Sequence, residues 1–346
     1  ATFTWSSSAT QTFANFAAGT GTINLNGSSG TVTISGDQAF TGTLNVAQAV
    51  TMSGGTNSSS AGLGNATAIN INNGGTITVD ATSSNANSFI GLSSRPSLTI
   101  TINTGGVLTS SSTVNTMHLN PGSMVLAGGT LAWGGTTSIW GSWNLDQNIT
   151  VTENSTISAS YLTLTKTGGT AFNVSTGKTL TISGTIISAT EATGCGCDSN
   201  TLKINETSGY TGTVVLSGTN TYKSTTTISA GTLLVTGTLG SGTYSPNISN
   251  SGTLEMGSAS NQTLSGVISG AGALTKSGSG TLTLTGANRH TGGTTVNTGI
   301  LVINDRGTDG NGSLVGTLTV NANGTVQLSG NSTALGWYTS VSYTHL

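Results

Sequence analysis

Short runs that alternate apolar and polar residues recur along the chain, separated by glycine, asparagine and serine. Thr31-Val32-Thr33-Ile34, Thr76-Ile77-Thr78-Val79, Leu98-Thr99-Ile100-Thr101-Ile102, Leu180-Thr181-Ile182, Thr281-Leu282-Thr283-Leu284-Thr285 and Leu318-Thr319-Val320 are examples. A period of two marks a strand with one buried face. Ile77, Val79, Ile100, Leu180, Ile182, Leu216, Leu233, Leu282, Leu284 and Leu301 are therefore expected in a core, with Thr281, Thr283 and Thr285 outside. A glycine leads into such a strand at Gly75, Gly106, Gly129, Gly177, Gly231, Gly252, Gly280, Gly299 and Gly324, often about 19 to 31 residues apart, which is the length of a solenoid coil. Only 3 prolines occur, as a ladder of backbone hydrogen bonds requires. Asn26-Gly27, Asn311-Gly312 and Asn323-Gly324 permit hairpin excursions, but irregular spacing counts against a propeller. The pattern predicts an all-β chain forming an elongated right-handed parallel β-helix.

The clearest copy of the pattern is 270–303, and a partial copy occupies 213–235. Thr213 to Val235 aligns with Thr281 to Ile303 without a gap. Leu216 matches Leu284, Gly218 matches Gly286, Asn220 matches Asn288, Thr226-Thr227 match Thr294-Thr295, and Gly231 and Leu233 match Gly299 and Leu301. A fainter echo lies at Gly36 to Gly42. The segment resembles the autotransporter-associated β-strand repeat of bacterial autotransporter passengers and related secreted surface proteins. It departs at Arg289-His290, where that repeat usually has the Thr-Tyr kept at Thr221-Tyr222. The resemblance implies an architecture and an extracellular setting, secreted or on the bacterial cell surface, and no chemistry.

The ends read differently. Residues 1–19, with Phe3, Trp5, Phe13 and Phe16, are expected to cap the solenoid, because an open coil exposes core and an unpaired edge. Residues 20–336 form the solenoid. In the tail, 337–346, glycine is absent and three aromatics appear. Val341 to Leu346 reads either as a native capping strand or, preferably, as translated adapter sequence joined to a gene fragment. The chain opens at Ala1 without an initiator Met or a signal-type apolar region, which suits a mature exported chain or a fragment.

Composition narrows the partners. Charged residues make up 5% of the chain, against roughly 25% in ordinary domains, and threonine is about a fifth. A net charge of -2 with scattered signs provides no footprint for nucleic acid. No stretch approaches the roughly 18 apolar residues of a membrane helix, so no insertion of this segment into a membrane is expected. The expected partners are a host or environmental glycan or matrix surface, and self-association between rods.

Candidate chemistry is sparse, and neither a metal nor a cofactor is expected. The acids stand mostly singly, whereas general acid–base catalysis needs groups converging within hydrogen-bond reach. Arg289-His290 with Asp305, Arg306 and Asp309 reads as solvated corners, and His118 as a turn or surface residue. Asp305 to Gly312 evokes a calcium loop but lacks the bidentate Glu. Cys195-Gly196-Cys197 reads as a tiny disulfide or free thiols rather than a zinc site. Trp133, Trp140 and Trp143 are candidates for a sugar or partner platform, although Trp143 alternates with Leu145 and so points inward. The expectation is a non-enzymatic stalk, adhesin or surface-matrix protein. A polysaccharide-active β-helix is one alternative. Another is a threonine-ranked ice-binding solenoid, suggested by repeated Thr-x-Thr pairs.

Overall fold

The computed structural model describes residues 1–14, 19–35, 39–53, 66–80, 90–111, 117–134, 142–188, 200–305, 314–330 and 337–343. They fall into two compact units, the first within Ala1–Thr170 and the second comprising Ala171–Ser188 with Asp198–Leu346. Each unit is a parallel β-solenoid, as the alternation predicted.

In the first unit one sheet stacks Thr2–Trp5, Thr22–Leu25, Thr43–Val46, Ala68–Ile71, Ile90–Asn103 and Met117–Ala127, every pair parallel. A second stacks Gln11–Phe13, Thr31–Ser35, Ala49–Ser53, Thr76–Asp80, Val107–Ser110 and Thr130–Leu131. Register puts like on like. Leu25, Val46, Ile71, Ile102 and Leu126 form an inward column, each with 0% exposure. Burial of each such side chain stabilises by about 1.5–3 kcal/mol.

The second unit repeats this logic. Leu180, Val214, Leu233, Leu254 and Leu274 stack in register and are wholly buried. Beside them the column Ile182, Leu216, Val235 and Met256 continues through Lys276, whose stem fills an apolar place, to Val296. The Lys276 ammonium donates to the carbonyl oxygens of Gly278 and Thr298. All ten core residues expected from the alternation are buried, and Thr281, Thr283 and Thr285 are half-exposed. Coil length is less regular than the repeat itself. Equivalent residues lie 20 apart around 268–288, but 25 and 31 apart in coils that carry 54–65 and 81–89.

Corners create the main difficulty, because a backbone amide that leaves the ladder needs another partner. Buried carboxamides supply it. Asn205 accepts from the Val174 amide at 2.8 Å and donates to the carbonyls of Gly212 and Ala230. Gln262 accepts from the Leu239 amide and donates back to the Leu239 carbonyl, at 2.8 and 3.0 Å. Gly231 and Gly299, equivalent in the two repeat copies, both have left-handed φ values, 66° and 75°. A Cβ at either would also collide with a carbonyl of the preceding coil, at Gly212 or Gly278.

At the start of the chain Phe3 and Trp5 each meet Phe13 edge to face, at 6.4 and 5.6 Å, within strands that pair with the next coil. Phe16 lies outside the described residues. Trp337–Tyr343 runs as a strand parallel to Val315–Gly330.

The inside–outside split is testable at one strand. Leu284 has 0% exposure and pairs Leu264 and Ile303, one in each neighbouring coil, whereas Thr283 faces outward. Leu284→Asp buries an unpaired charge and is expected to destabilise by several kcal/mol, on the order of 4. Thr283→Asp is expected to change stability by less than about 0.5 kcal/mol. Denaturant unfolding followed by circular dichroism compares them, and equal losses would contradict the register.

Candidate functional site

The two repeat copies are best compared atom by atom. In each, the first strand pairs directly with the last: Leu216 lies against Val235, and Leu284 against Ile303. One copy is therefore one turn of the solenoid plus the strand that closes it. Asn220 accepts from the Ile186 amide at 3.0 Å, and its counterpart Asn288 accepts from the Ile268 amide at 2.7 Å. The matched asparagines share this acceptor bond, but Asn220 Nδ2 also donates to the carbonyls of Gly218 and Thr238, whereas Asn288 Nδ2 is buried without a partner.

Two residues on, the copies differ. The hydroxyl of Tyr222 bonds to Thr226 Oγ1 at 2.9 Å, which bonds to the Tyr244 hydroxyl at 2.8 Å, and Tyr244 donates to the Ser224 carbonyl. Burial raises both phenols, Tyr222 to about 12 and Tyr244 further, so the chain of hydroxyls stays neutral. In the second copy His290 fills the place of Tyr222, and its Nε2 meets Thr294 Oγ1 at the same 2.9 Å. The substitution keeps the bond and drops the phenol. His290 Nδ1 is left buried without a partner.

The solvated corner expected at Arg289-His290 is corrected for the histidine. Arg289 is exposed, but the alternation turns His290 into the core, where it is 0% exposed. The side chain of Asp305, and Arg306 and Asp309, lie outside the described residues.

His118 is likewise no isolated turn residue. It sits on Met117–Ala127 and its Nδ1 is 2.6 Å from Asp146 Oδ2. Asn144 Nδ2 donates to His118 Nε2 at 3.2 Å, and Ser142, bonded to Thr163 at 3.0 Å, donates to Asn144 Oδ1. Coil stacking makes this cluster, since His118 pairs in register with Asn144. The separation of 28 residues between His118 and Asp146, within one coil length, was the available signal. Both imidazole nitrogens are engaged, so the pair is tied into a network.

The tryptophans also turn inward. Trp143 is 0% and Trp133 7% exposed, and their rings meet edge to face at 5.4 Å. Trp143 Nε1 donates to the Ala132 carbonyl at 2.7 Å. These two rings fill the core and present no platform for sugar, since hydrophobic burial decides the orientation. Trp140, Cys195 and Cys197 lie outside the described residues. Among the described residues no group of three or more His, Cys, Asp or Glu is placed to hold a metal.

Outward positions have their own order. Thr12, Thr33, Thr51, Thr78 and Thr109 stand in register on five successive coils. On the other sheet Asn24, Asn45 and Asn70 stack, with Asn45 Nδ2 donating to Asn24 Oδ1 and Asn70 Nδ2 to Asn45 Oδ1, each at 2.8 Å.

These features define a parallel β-solenoid whose second unit contains two copies of one coil. Residues 209–235 and 274–303 match the passenger-associated-transport-repeat family, overlapping the two copies compared above. The fold and both matches fit the passenger of a bacterial autotransporter. No curated protein and no solved structure matches the chain. Among the described residues no helix is long and apolar enough to cross a membrane.

The orphaned imidazole makes stability depend on pH. Burial pushes His290 down from 6.5 to about 4. Between those values the unfolded chain binds a proton that the folded chain does not, so stability is full above the window and falls as pH drops through it. At about 1.4 kcal/mol per unit the loss is about 3 kcal/mol. His290→Tyr restores the hydroxyl seen at Tyr222 and is expected to remove this part of the dependence. Amide hydrogen exchange across 289–303 at pH 7 and pH 4.5 measures it. The same pH slope in both proteins would assign the titration to another group.

Proposed function

We propose that the chain is a non-catalytic, extracellular passenger-type solenoid, a surface stalk or adhesin that meets a glycan or matrix surface. The observation that supports it is the passenger repeat, present twice and folded each time as one turn with equivalent bonds at Asn220 and Asn288. A solenoid of neutral coils exposes long rows of Thr and Asn, a surface suited to contact rather than to proton transfer. The engagement of both His118 nitrogens supports the same reading.

The test is surface display. Placed between an export signal and a translocating barrel, the chain should become accessible to added protease on intact cells. Those cells should adhere to a glycan or matrix-coated surface more than cells displaying an unrelated passenger. Depolymerisation of a polysaccharide by the purified chain, lost in Asp146→Asn, would replace this reading with the enzymatic one.

The threonine column favours one second reading, binding to ice. Along Thr12, Thr33, Thr51, Thr78 and Thr109 the hydroxyls repeat at about 4.8 Å. With the neighbouring outward column Thr31, Ala49, Thr76, Val107 and Thr130, they make a two-dimensional array of small side chains. If that array orders water, the chain will show thermal hysteresis and Thr51→Lys will abolish it. Absence of hysteresis in the unaltered chain would dispose of the idea.

A further inference from the structure

Two outward rows rich in carboxamides run along the first unit. Asn24, Asn45 and Asn70 form an unbroken hydrogen-bonded ladder, and Asn24 Nδ2 reaches Thr4 Oγ1 at 3.3 Å. Two residues further along each strand, the next row reads Asn26, Ala47, Asn72, Asn103, since the backbone amides of Asn26, Ala47 and Asn72 each bond to the preceding coil in the same way. Asn103 Nδ2 donates to Asn72 Oδ1 at 2.9 Å. At Ala47 the row has a methyl instead of an amide. A groove of about 370 Å³ lies here, lined by Asn24, Leu25, Asn26, Asn45, Ala47 and Asn72.

We infer that this groove is a subsite for a neutral, hydroxyl-rich glycan chain running along the stacking direction. The inference rests on the surface-adhesin reading and assigns that contact a place. Three properties point to this ligand.

The lining carries no ionisable side chain, so nothing in it selects an ion or an anionic polymer. A carboxamide presents a donor and an acceptor in one plane, which matches the paired donor and acceptor capacity of adjacent sugar hydroxyls. The Asn26 side chain and Asn72 Nδ2 have no protein partner among the described residues, so both are available. The half-exposed Ala47 methyl between them supplies an apolar floor for the C–H face of a pyranose ring.

Order also favours binding. The amides of Asn24, Asn45 and Asn70 are held by one another, so little rotamer freedom remains to be lost on contact. Successive amides repeat at about 4.8 Å, comparable to the length of one sugar unit, so an extended β-linked chain could meet them in step. Peptide strands share that spacing but would need an open backbone edge, and here both edges of each strand are occupied by neighbouring coils.

The measurement is titration calorimetry of the purified chain with cellohexaose and with N-acetylchitohexaose, backed by affinity electrophoresis in hydroxyethyl cellulose. Polygalacturonate serves as the charged comparison. The unaltered chain should bind at least one neutral probe, with affinity unchanged between low and high salt. Ala47→Gln fills the groove from a surface position and should weaken binding at least tenfold. Asn26→Ala with Asn72→Ala should do the same, while Thr78→Gln on the other sheet should leave binding unaltered. Circular dichroism and thermal midpoints confirm that each variant is folded. Binding unaffected by Ala47→Gln, binding only to polygalacturonate, or no binding to any probe would overturn the subsite. The passenger reading is decided separately, because displayed cells that still adhere after Ala47→Gln would keep the adhesin and lose only this site.

Discussion

A coil of a parallel solenoid cannot satisfy its own backbone, and the rest of the structure depends on that constraint. Every strand must find its donors and acceptors on the coils before and after it, so the coils must match in register. Thr281–Leu284 illustrates the point, with Gln262–Leu264 on one side and Ile300 to Ile303 on the other. The same requirement explains buried asparagine in a chain with so little charge. Where Asn205 and Asn220 take the place of ladder partners, a carboxamide acts as a spare peptide group, accepting and donating. Left unpaired, each such buried amide would destabilise by about 1–3 kcal/mol.

The repeat copies show which parts of a coil tolerate change. Glycine at 231 and 299 meets a steric limit, and asparagine at 220 and 288 meets a hydrogen-bond limit. The aromatic place is softer, because its tie to the threonine four residues on needs only a polar atom at the right distance. Tyrosine and histidine both reach it, at 2.9 Å. Histidine leaves Nδ1 stranded in the core and brings proton binding with it. A structural exchange thereby introduces a buried titrating group into a chain with few charges.

Outside, rows of threonine and asparagine replace the charged surface usual in soluble domains. The two rows differ physically. Threonine hydroxyls in the column from Thr12 to Thr109 stand side by side, whereas the asparagines at 24, 45 and 70 bond to each other and stiffen. Order of this kind arises from stacking alone, without any local motif.

Sequence by itself determined the alternating strands, the side their residues face and the repeat. Leu282 and Leu284 go inside, and Thr281 and Thr283 outside, because a strand's period is two and water excludes the leucines. The copies at 213–235 and 270–303 were legible because one turn imposes the same steric and hydrogen-bond demands wherever it recurs. Tertiary structure alone decided which coils became neighbours and by how many residues. Coil length varies from 18 to 34 residues, so spacing could not pair His118 with Asp146 or align Asn26, Ala47 and Asn72. It also decided that Trp133 and His290 lie inside, since a coil interior must be filled to its full volume by whatever residue the register brings there.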